Sequence, residues 1–231
     1  SMAIDLLFMI DTIFFGYGKP ATSALSSNFS ATNLHVAMPN YPEKGDKDAA
    51  NAILDKAGFK KDANGVRMRA VLDIIPYGED WRRAGEYLKQ AMGDIGIDLE
   101  LRYEDVPTWL KRVYHNYDFE MNVNYFYQLP DPVLGVHRHY GTDQIRKGTH
   151  FVNSSRYSNP KLDALLDSGA GEPDAAKRTA KYKEIQQILA EDMPVVNLFE
   201  LEFLVVYNTK LKGVYDSAMG AYGSFREGYL D

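Results

Sequence analysis

The sequence predicts an α/β fold with a mostly parallel central sheet flanked by helices, and three segments carry that prediction. Met68 to Ile75 is an apolar run bounded by Pro76 and Gly78, the pattern of a strand covered on both faces. Between Glu79 and Ile95 the apolar positions Trp81, Ala84, Tyr87, Leu88, Ala91, Met92 and Ile95 recur at helical spacing, with Arg82, Arg83 and Lys89 left outside and Gly96 as the stop. Ile97, Leu99, Leu101 and Tyr103 then alternate with polar residues, as do Phe119, Met121, Val123 and Tyr125, and Asp105 with Pro107 opens a short helix between them. Strand, helix, strand, helix, strand with short connections implies parallel pairing with right-handed crossovers.

The flanking elements follow in order. Ala3 to Phe15 is apolar but interrupted by Asp5 and Asp11, too short and too charged for a membrane span or a signal segment, and is expected to be a core helix. Gly16 to Gly45, with Pro20, Pro39 and Pro42, shows no sustained period and is expected to be an irregular ordered connection. Asp46 can cap a helix whose face carries Ala49, Ala50, Ile53, Leu54 and Ala57, ending at Gly58. Asn159-Pro160 starts a helix burying Leu162, Leu165 and Leu166. A longer one from Pro173 to Asp192 places Tyr182, Ile185, Ile188 and Leu189 on one stripe, and Pro194 stops it. Val195 to Tyr207 is expected to be a long apolar strand. The polar, Gly-rich tail after Asn208 should pack on something outside this chain, and the opening Ser1-Met2 reads as a processing remnant at the start of a piece cut from something longer.

Composition narrows the function. The 231 residues are 45% apolar and 25% charged, a globular composition that excludes collagen, coiled coil and disorder. Net charge is −6, with the basic residues scattered, so no nucleic-acid groove is expected. The absence of cysteine removes thiol catalysis and thiolate metal sites. The surplus is in tyrosine, at 16 residues.

Motifs give little chemistry. Gly16-Tyr17-Gly18 follows a helix rather than a strand and lacks the third glycine of a dinucleotide fingerprint, so no cofactor is expected. His137-Arg138-His139 would place two imidazoles on one side of a strand, but no nearby third ligand is evident, and no metal is expected. Glu200 and Glu202 would share a face of the last strand and could serve as an acid and base pair, the basis of an alternative reading as a small hydrolase. Ser26-Ser27 and Ser154-Ser155 have no partners at catalytic spacing, and the expectation is binding without turnover. A further alternative is a ligand-sensing regulatory module.

A ligand in an open parallel sheet sits beyond the carboxyl ends of the strands, where crossover loops and helix N-termini gather. Those ends are Pro76-Tyr77-Gly78, Tyr103-Glu104-Asp105 and Tyr125-Phe126-Tyr127-Gln128. Tyrosine stands at each, offering a flat apolar face and a hydroxyl. The candidate site is therefore Tyr77, Tyr103, Tyr125 and Tyr127, expected on one edge of the sheet.

The order of Phe15-Gly16-Tyr17-Gly18-Lys19-Pro20-Ala21, Asp48-Ala49-Ala50-Asn51-Ala52-Ile53-Leu54-Asp55-Lys56-Ala57-Gly58-Phe59, Ile95-Gly96-Ile97, Tyr117-Asp118, Asp131-Pro132, Tyr157-Ser158-Asn159-Pro160 and Gln186-Gln187-Ile188-Leu189-Ala190-Glu191-Asp192-Met193-Pro194 resembles the C-terminal part of the family 5, peptide-binding extracytoplasmic solute-binding proteins of ABC importers. The resemblance runs through nearly the whole chain. It implies a periplasmic-binding-protein-like (type II) lobe over 1–231, with 208–231 returning toward an N-terminal lobe that also carries the signal peptide. It further implies a monomer, periplasmic or anchored outside the membrane, that binds a peptide, peptide-like or opine-like solute and delivers it to an ABC permease.

The same resemblance adds Ile75, Gln128 and Asp131 to the candidate site. Where dipeptide binders look to have an arginine for the peptide carboxylate, before the Pro-Tyr that matches Pro76-Tyr77, this chain has Ile75. Where they look to have an aspartate for the peptide amine, three residues before Asp131, it has Gln128. Their tryptophan three residues earlier is matched by Tyr125. Burying a free peptide's charged termini without those partners would cost several kcal/mol, so longer or modified peptides, sugar conjugates and oligosaccharides stay open.

Overall fold

The structure is a computed structural model and describes residues 1–32, 34–38, 43–214 and 223–231. Pro39 and Pro42, assigned above to the irregular connection, and residues 215–222 of the Gly-rich tail lie outside the described residues. The N-terminal helix begins as α1 (Leu6–Phe8), capped by Asp5, whose carboxylate accepts from the Phe8 N–H, and runs on as a π-helical turn over Met9–Ile13. Leu6, Met9, Ile10 and Ile13 are buried. The supposedly irregular stretch contains a short strand, β1 (Gly18–Pro20), and a 3-10 segment, Ser27–Thr32. Next comes α2 (Lys47–Lys56), with Asp46 accepting from the Ala49 N–H at 2.8 Å. Of its anticipated apolar face Ala50 is buried, whereas Ile53 is 53% exposed.

The parallel sheet is present as expected, with β2 (Met68–Ile74) in the middle, β3 (Ile97–Arg102) on one side and β4 (Met121–Val123) on the other. Its register runs from Met68 opposite Ile97 to Asp73 opposite Arg102, and from Leu72 opposite Met121 to Ile74 opposite Val123. The crossovers are α3 (Glu79–Gly93) and α4 (Val106–Leu110), the latter capped by Asp105 and continued by a π-helical turn over Lys111–Asn116. β4 is shorter than its alternating pattern, and only its Val123 is buried. Leu72, Ile74, Leu99 and Val123 pack with Trp81, Ala84 and Leu88 of α3 and with Trp109, Val113 and Tyr114, while Met9, Ile13 and Phe14 of the N-terminal helix join the same core. Gly85 sets the approach of α3 to the sheet, since a Cβ there would lie 2.7 Å from Ile74 Cδ1.

One residue of β2 breaks the apolar pattern. Asp73 is fully buried, neither carboxylate oxygen has a hydrogen-bond partner, and its nearest counter-charges are Arg102 Nε at 3.4 Å and Arg112 Nε at 3.7 Å. Arg112 is itself held by Glu104 through Nε and Nη2. Burial outweighs the two guanidinium groups and pushes the Asp73 carboxyl up to about 6.

A second core is helical. α6 (Pro160–Ala170), capped by Asn159, and α7 (Ala175–Asp192) bring Leu162, Leu166, Tyr182, Ile185, Ile188 and Leu189 against Leu25, Phe29 and Leu34. Val136 and Tyr140 of α5 (Val136–Tyr140) close it. His137-Arg138-His139 therefore lies on a helix and not on a strand, so its imidazoles diverge: His137 Nε2 pairs with the Tyr182 hydroxyl at 3.1 Å, while His139 packs on Phe126 with ring centroids 4.0 Å apart. The long strand expected over Val195 to Tyr207 is also corrected. Only β5 (Phe199–Leu201) forms, antiparallel to β1, and Phe203 through Tyr207 is exposed. β6 (Leu211–Lys212) and β7 (Tyr229–Leu230) pair antiparallel in the tail.

Candidate functional site

The carboxyl ends of β2 and β4 meet above the start of α3. After β2 the Tyr77 N–H donates to the Ile75 carbonyl at 2.9 Å, and Gly78, at φ +117°, turns the chain into the helix, a backbone conformation that suits glycine. This places Trp81 in the first turn, beneath the segment that leaves β4. Tyr125 is the hub of what assembles there. Its ring stacks on Trp81 at 5.5 Å and 20° and stands edge-on to Tyr77 at 5.8 Å and to Tyr127 at 5.7 Å. Phe203 comes from the other end of the chain to stack on Tyr127 at 5.4 Å and 29° and to touch Tyr125 at 5.6 Å. Aromatic contacts of this kind contribute about 0.5–1.5 kcal/mol each beyond area burial. Burial, with Tyr125 close by, raises the Tyr77 hydroxyl above its usual range, so it stays protonated.

Trp81, Tyr125, Tyr127 and Phe203 line a cavity of about 810 Å³ together with Asn122, Asn124, Asn197, His139 and Tyr140. His139 is pushed down to about 3 by burial, with Arg138 adding to the effect, and is neutral in water near pH 7. The Asn124 amide donates to the Tyr114 hydroxyl at 2.6 Å and Asn197 pairs with the Tyr140 hydroxyl at 3.4 Å, so the polar groups of the wall are held by the two cores.

Tyr77, Tyr125 and Tyr127 are thus brought together and Gln128 lines the same cavity as Tyr125 and Tyr127, while Ile75, Tyr103 and Asp131 stand apart. Tyr103 lies under Arg82, 4.3 Å from ring centroid to guanidinium, and donates to Glu86 at 3.0 Å. Burial and that bond push its hydroxyl up to about 12. Ile75 is 1% exposed and its N–H donates to the Val123 carbonyl, a position inside the sheet core. Gln128 is a clamp: its Oε1 accepts from the Ser26 N–H at 2.7 Å and its Nε2 donates to the Ala24 carbonyl at 2.7 Å. Asp131 caps the 3-10 turn Pro132–Leu134 and receives Arg178 Nη2 of α7 at 2.8 Å on both oxygens. Burial works upward on Asp131, but the Val133 N–H and Arg178 together hold it below the ordinary carboxylate range.

The two glutamates of the last strand are separated in role. Glu200 accepts from the Ser26 hydroxyl at 2.9 Å, the Ser27 N–H at 2.7 Å and the Ser27 hydroxyl at 3.1 Å, with Lys19 Nζ at 3.6 Å. Glu202 falls beyond β5, with an exposed side chain. The wall therefore offers flat aromatic faces with amide and hydroxyl groups, and its lining also carries the charged Arg156, over the Tyr117 ring at 5.4 Å, Glu120, which accepts from the Val71 N–H, and Glu200, while Glu200 and Asp131 are already matched to partners of this chain. Trp81 was readable as a site residue, since it occupies the first helical turn after a strand's carboxyl end. Phe203 carries no such signal, because only long-range packing brings it here.

The family profile described as bacterial extracellular solute-binding proteins, family 5 Middle, matches residues 1–146. Curated relatives include Protein XP55 of Streptomyces lividans, 27% identical over 92% of this chain and 38% of its own length. Another is Di/tripeptide-binding protein 1 of Pseudomonas aeruginosa, 24% identical over 96% of this chain and 39% of its length. Among solved structures, HbpA2 from Haemophilus parasuis superposes with TM-score 0.77 at 20% identity, covering 100% of this chain and 43% of that one. The dipeptide-binding protein from Pseudoalteromonas sp. SM9913 with Met-Leu superposes with TM-score 0.79 at 18% identity, covering 100% and 44%. The fold is that of type II periplasmic binding proteins, and the chain spans about two fifths of the length of these curated relatives. With the profile covering more than half of the chain and the same parallel sheet underneath, the chain belongs to family 5 of the bacterial extracellular solute-binding proteins.

Proposed function

We propose that residues 1–231 form one lobe of an extracytoplasmic receptor that binds a peptide or peptide-like solute and presents it to an ABC permease, with 208–231 leading toward a second lobe. The observation that carries this reading is the aromatic wall of Trp81, Tyr125, Tyr127 and Phe203 at the carboxyl edge of the sheet, beside amide and hydroxyl groups, in a chain of this family. Relatives named as di- and tripeptide-binding proteins support the solute class. The receptor acts by closure rather than turnover: a second lobe folding over the wall buries the solute and shifts the population toward the transport-competent form. Its place is the periplasm or the outer face of the cytoplasmic membrane, as a monomer.

A second reading follows from the charges. Ile75 and Gln128 supply no ion-pair partner for a free peptide terminus, and the charged groups that do line the cavity are engaged, Glu120 with the Val71 N–H, Glu200 with Ser26 and Ser27 and Arg156 with the Tyr117 ring, so a neutral solute that stacks on aromatic faces, such as a blocked peptide or an oligosaccharide, suits this edge better than a short free peptide. Titration of the full receptor containing this chain, read by tryptophan fluorescence and followed by mass spectrometry of the recovered solute, tests both. The proposal expects saturable binding with the solute returned unchanged, and a loss of about tenfold or more in Tyr125→Ala. Free dipeptides binding as tightly as their blocked forms would remove the second reading. Turnover of the solute, or a Tyr125→Ala receptor that binds as well as the parent, would overturn the first.

A further inference from the structure

Away from the aromatic wall, the π-helical turn after α4 and the loop before α6 bring two histidines together. His115 Nε2 and His150 Nε2 lie 3.1 Å apart, with ring centroids at 5.3 Å and planes inclined by 50°. Both rings reach solvent, and both are placed by their surroundings. Gly148, at φ +86°, runs so close beside His115 that a Cβ would lie 3.4 Å from its Cε1. The loop is closed by the Gly148 N–H on the Tyr114 carbonyl at 2.8 Å and by the Thr149 N–H on Arg146 O at 3.0 Å, and Arg138 donates to the His150 carbonyl at 3.1 Å. His150 also packs on the Tyr114 ring at 5.9 Å, and neither imidazole lines the solute cavity.

We propose that His115 and His150 form a two-imidazole site for a divalent first-row transition metal of the copper, nickel or zinc type. Two nitrogens on one ion at about 2.0–2.1 Å each stand about 2.9 Å apart at a right angle and about 3.4 Å apart at the tetrahedral angle. The 3.1 Å separation falls between those limits, and with centroids at 5.3 Å the rings face each other nearly head-on, so one ion takes both Nε2 lone pairs once the two exposed rings swing to converge on a common point. In the neutral pair one ring carries its proton on Nε2 and shares it with the other. On metal binding that proton moves to Nδ1 of the same ring, through solvent, and no net proton is released. Imidazole donors suit these ions and not magnesium or calcium, and the intrinsic order puts copper(II) first. Among the described residues there is no third His, Cys, Asp or Glu to complete a closed shell, so the remaining positions belong to water, and the site is an open, exchangeable one.

Copper(II) added to this chain in a non-coordinating buffer near pH 7.5, followed by electron paramagnetic resonance and by calorimetric titration, tests the assignment. One ion per chain is expected, with nitrogen hyperfine structure from two imidazoles. His115→Gln and His150→Gln, both at the surface and leaving the circular dichroism unchanged, should each weaken binding about tenfold or more. The double variant should be little weaker than either single one, because one ring cannot chelate alone. Absence of binding in the parent chain at 100-fold excess metal, about equal affinity in the parent and either single variant, or a one-nitrogen spectrum would each overturn the site.

Discussion

Two apolar stretches of similar composition end up in opposite states. Met68 to Ile75 becomes the central strand of the sheet with its C-terminal half buried, whereas of Val195 to Tyr207 only Phe199–Leu201 pairs and Val206 is 95% exposed. Both look like strands because β-propensity and hydrophobicity measure how well a residue fits a pleated, covered surface. The first stretch finds its cover in the residues that follow it directly, in α3 and in β3. Among the described residues the second pairs with the three-residue β1 and its flanking Tyr17 and Ala21, from the far end of the chain. Hydrophobicity reports the need for a partner; whether one is present in the chain is a separate fact.

The sharpest way to break the contrast is at the sheet. Leu99, fully buried on β3 between the strands and α3, should lose about 2–5 kcal/mol of stability as Leu99→Ala, through lost transfer energy and the cavity left behind. The midpoint of urea unfolding, followed by circular dichroism at constant slope, reads this directly. A loss under about 1 kcal/mol would mean that the sheet is not the packed unit described here.

The next test uses the charge buried within that sheet. Asp73 has its carboxyl raised from 3.8 to about 6, so the folded state holds a proton that the unfolded chain has lost between those values. The stabilisation from protonated Asp73 is therefore complete below about pH 3.8 and disappears as pH rises through about 6, a span worth up to about 3 kcal/mol at about 1.36 kcal/mol per pH unit. Asp73→Asn, which keeps the shape without the charge, should flatten the stability profile between pH 4 and 6 and be the more stable protein at pH 7. An unchanged slope in that window would show that Arg102 and Arg112 fully neutralise the carboxylate.

These two tests fall where the sequence was most legible. Short connections and helix-spaced residues such as Trp81, Ala84 and Leu88 announce the parallel unit, because each element meets its partner nearby in the chain, and Asp46, Asp105 and Asn159 announce helix starts through purely local bonds. The candidate site was legible in part for the same reason: Tyr77, Tyr125 and Tyr127 follow from where parallel strands end. Tyr103 follows its strand too, but β3 lies on the opposite side of β2 from β4, and Tyr103 turns to Glu86 and Arg82 on α3. Gln128, Glu200 and Phe203 were opaque because their partners are more than 70 residues away, and no spacing within one segment encodes such a contact. For His137 and His139 a spacing of two suits a strand as well as any other local pattern, while Val136 and Tyr140 commit the segment to a helix that packs on α7.

The smallest expected effect comes from the exposed stretch itself. Val206→Asp should leave the unfolding midpoint within about 0.5 kcal/mol of the parent, because a side chain that is 95% exposed has no contacts to lose. The same change should alter behaviour at high concentration. Phe203, Leu204, Val205 and Val206 form a contiguous exposed apolar run next to a strand only three residues long, and such a run favours association through an open edge. Light scattering on the isolated chain should therefore fall when an aspartate interrupts it, while the fold is unchanged. A stability loss of about 2 kcal/mol or more would instead place Val206 in a buried contact, and the two apolar stretches would then differ in timing of burial rather than in whether this chain can cover them.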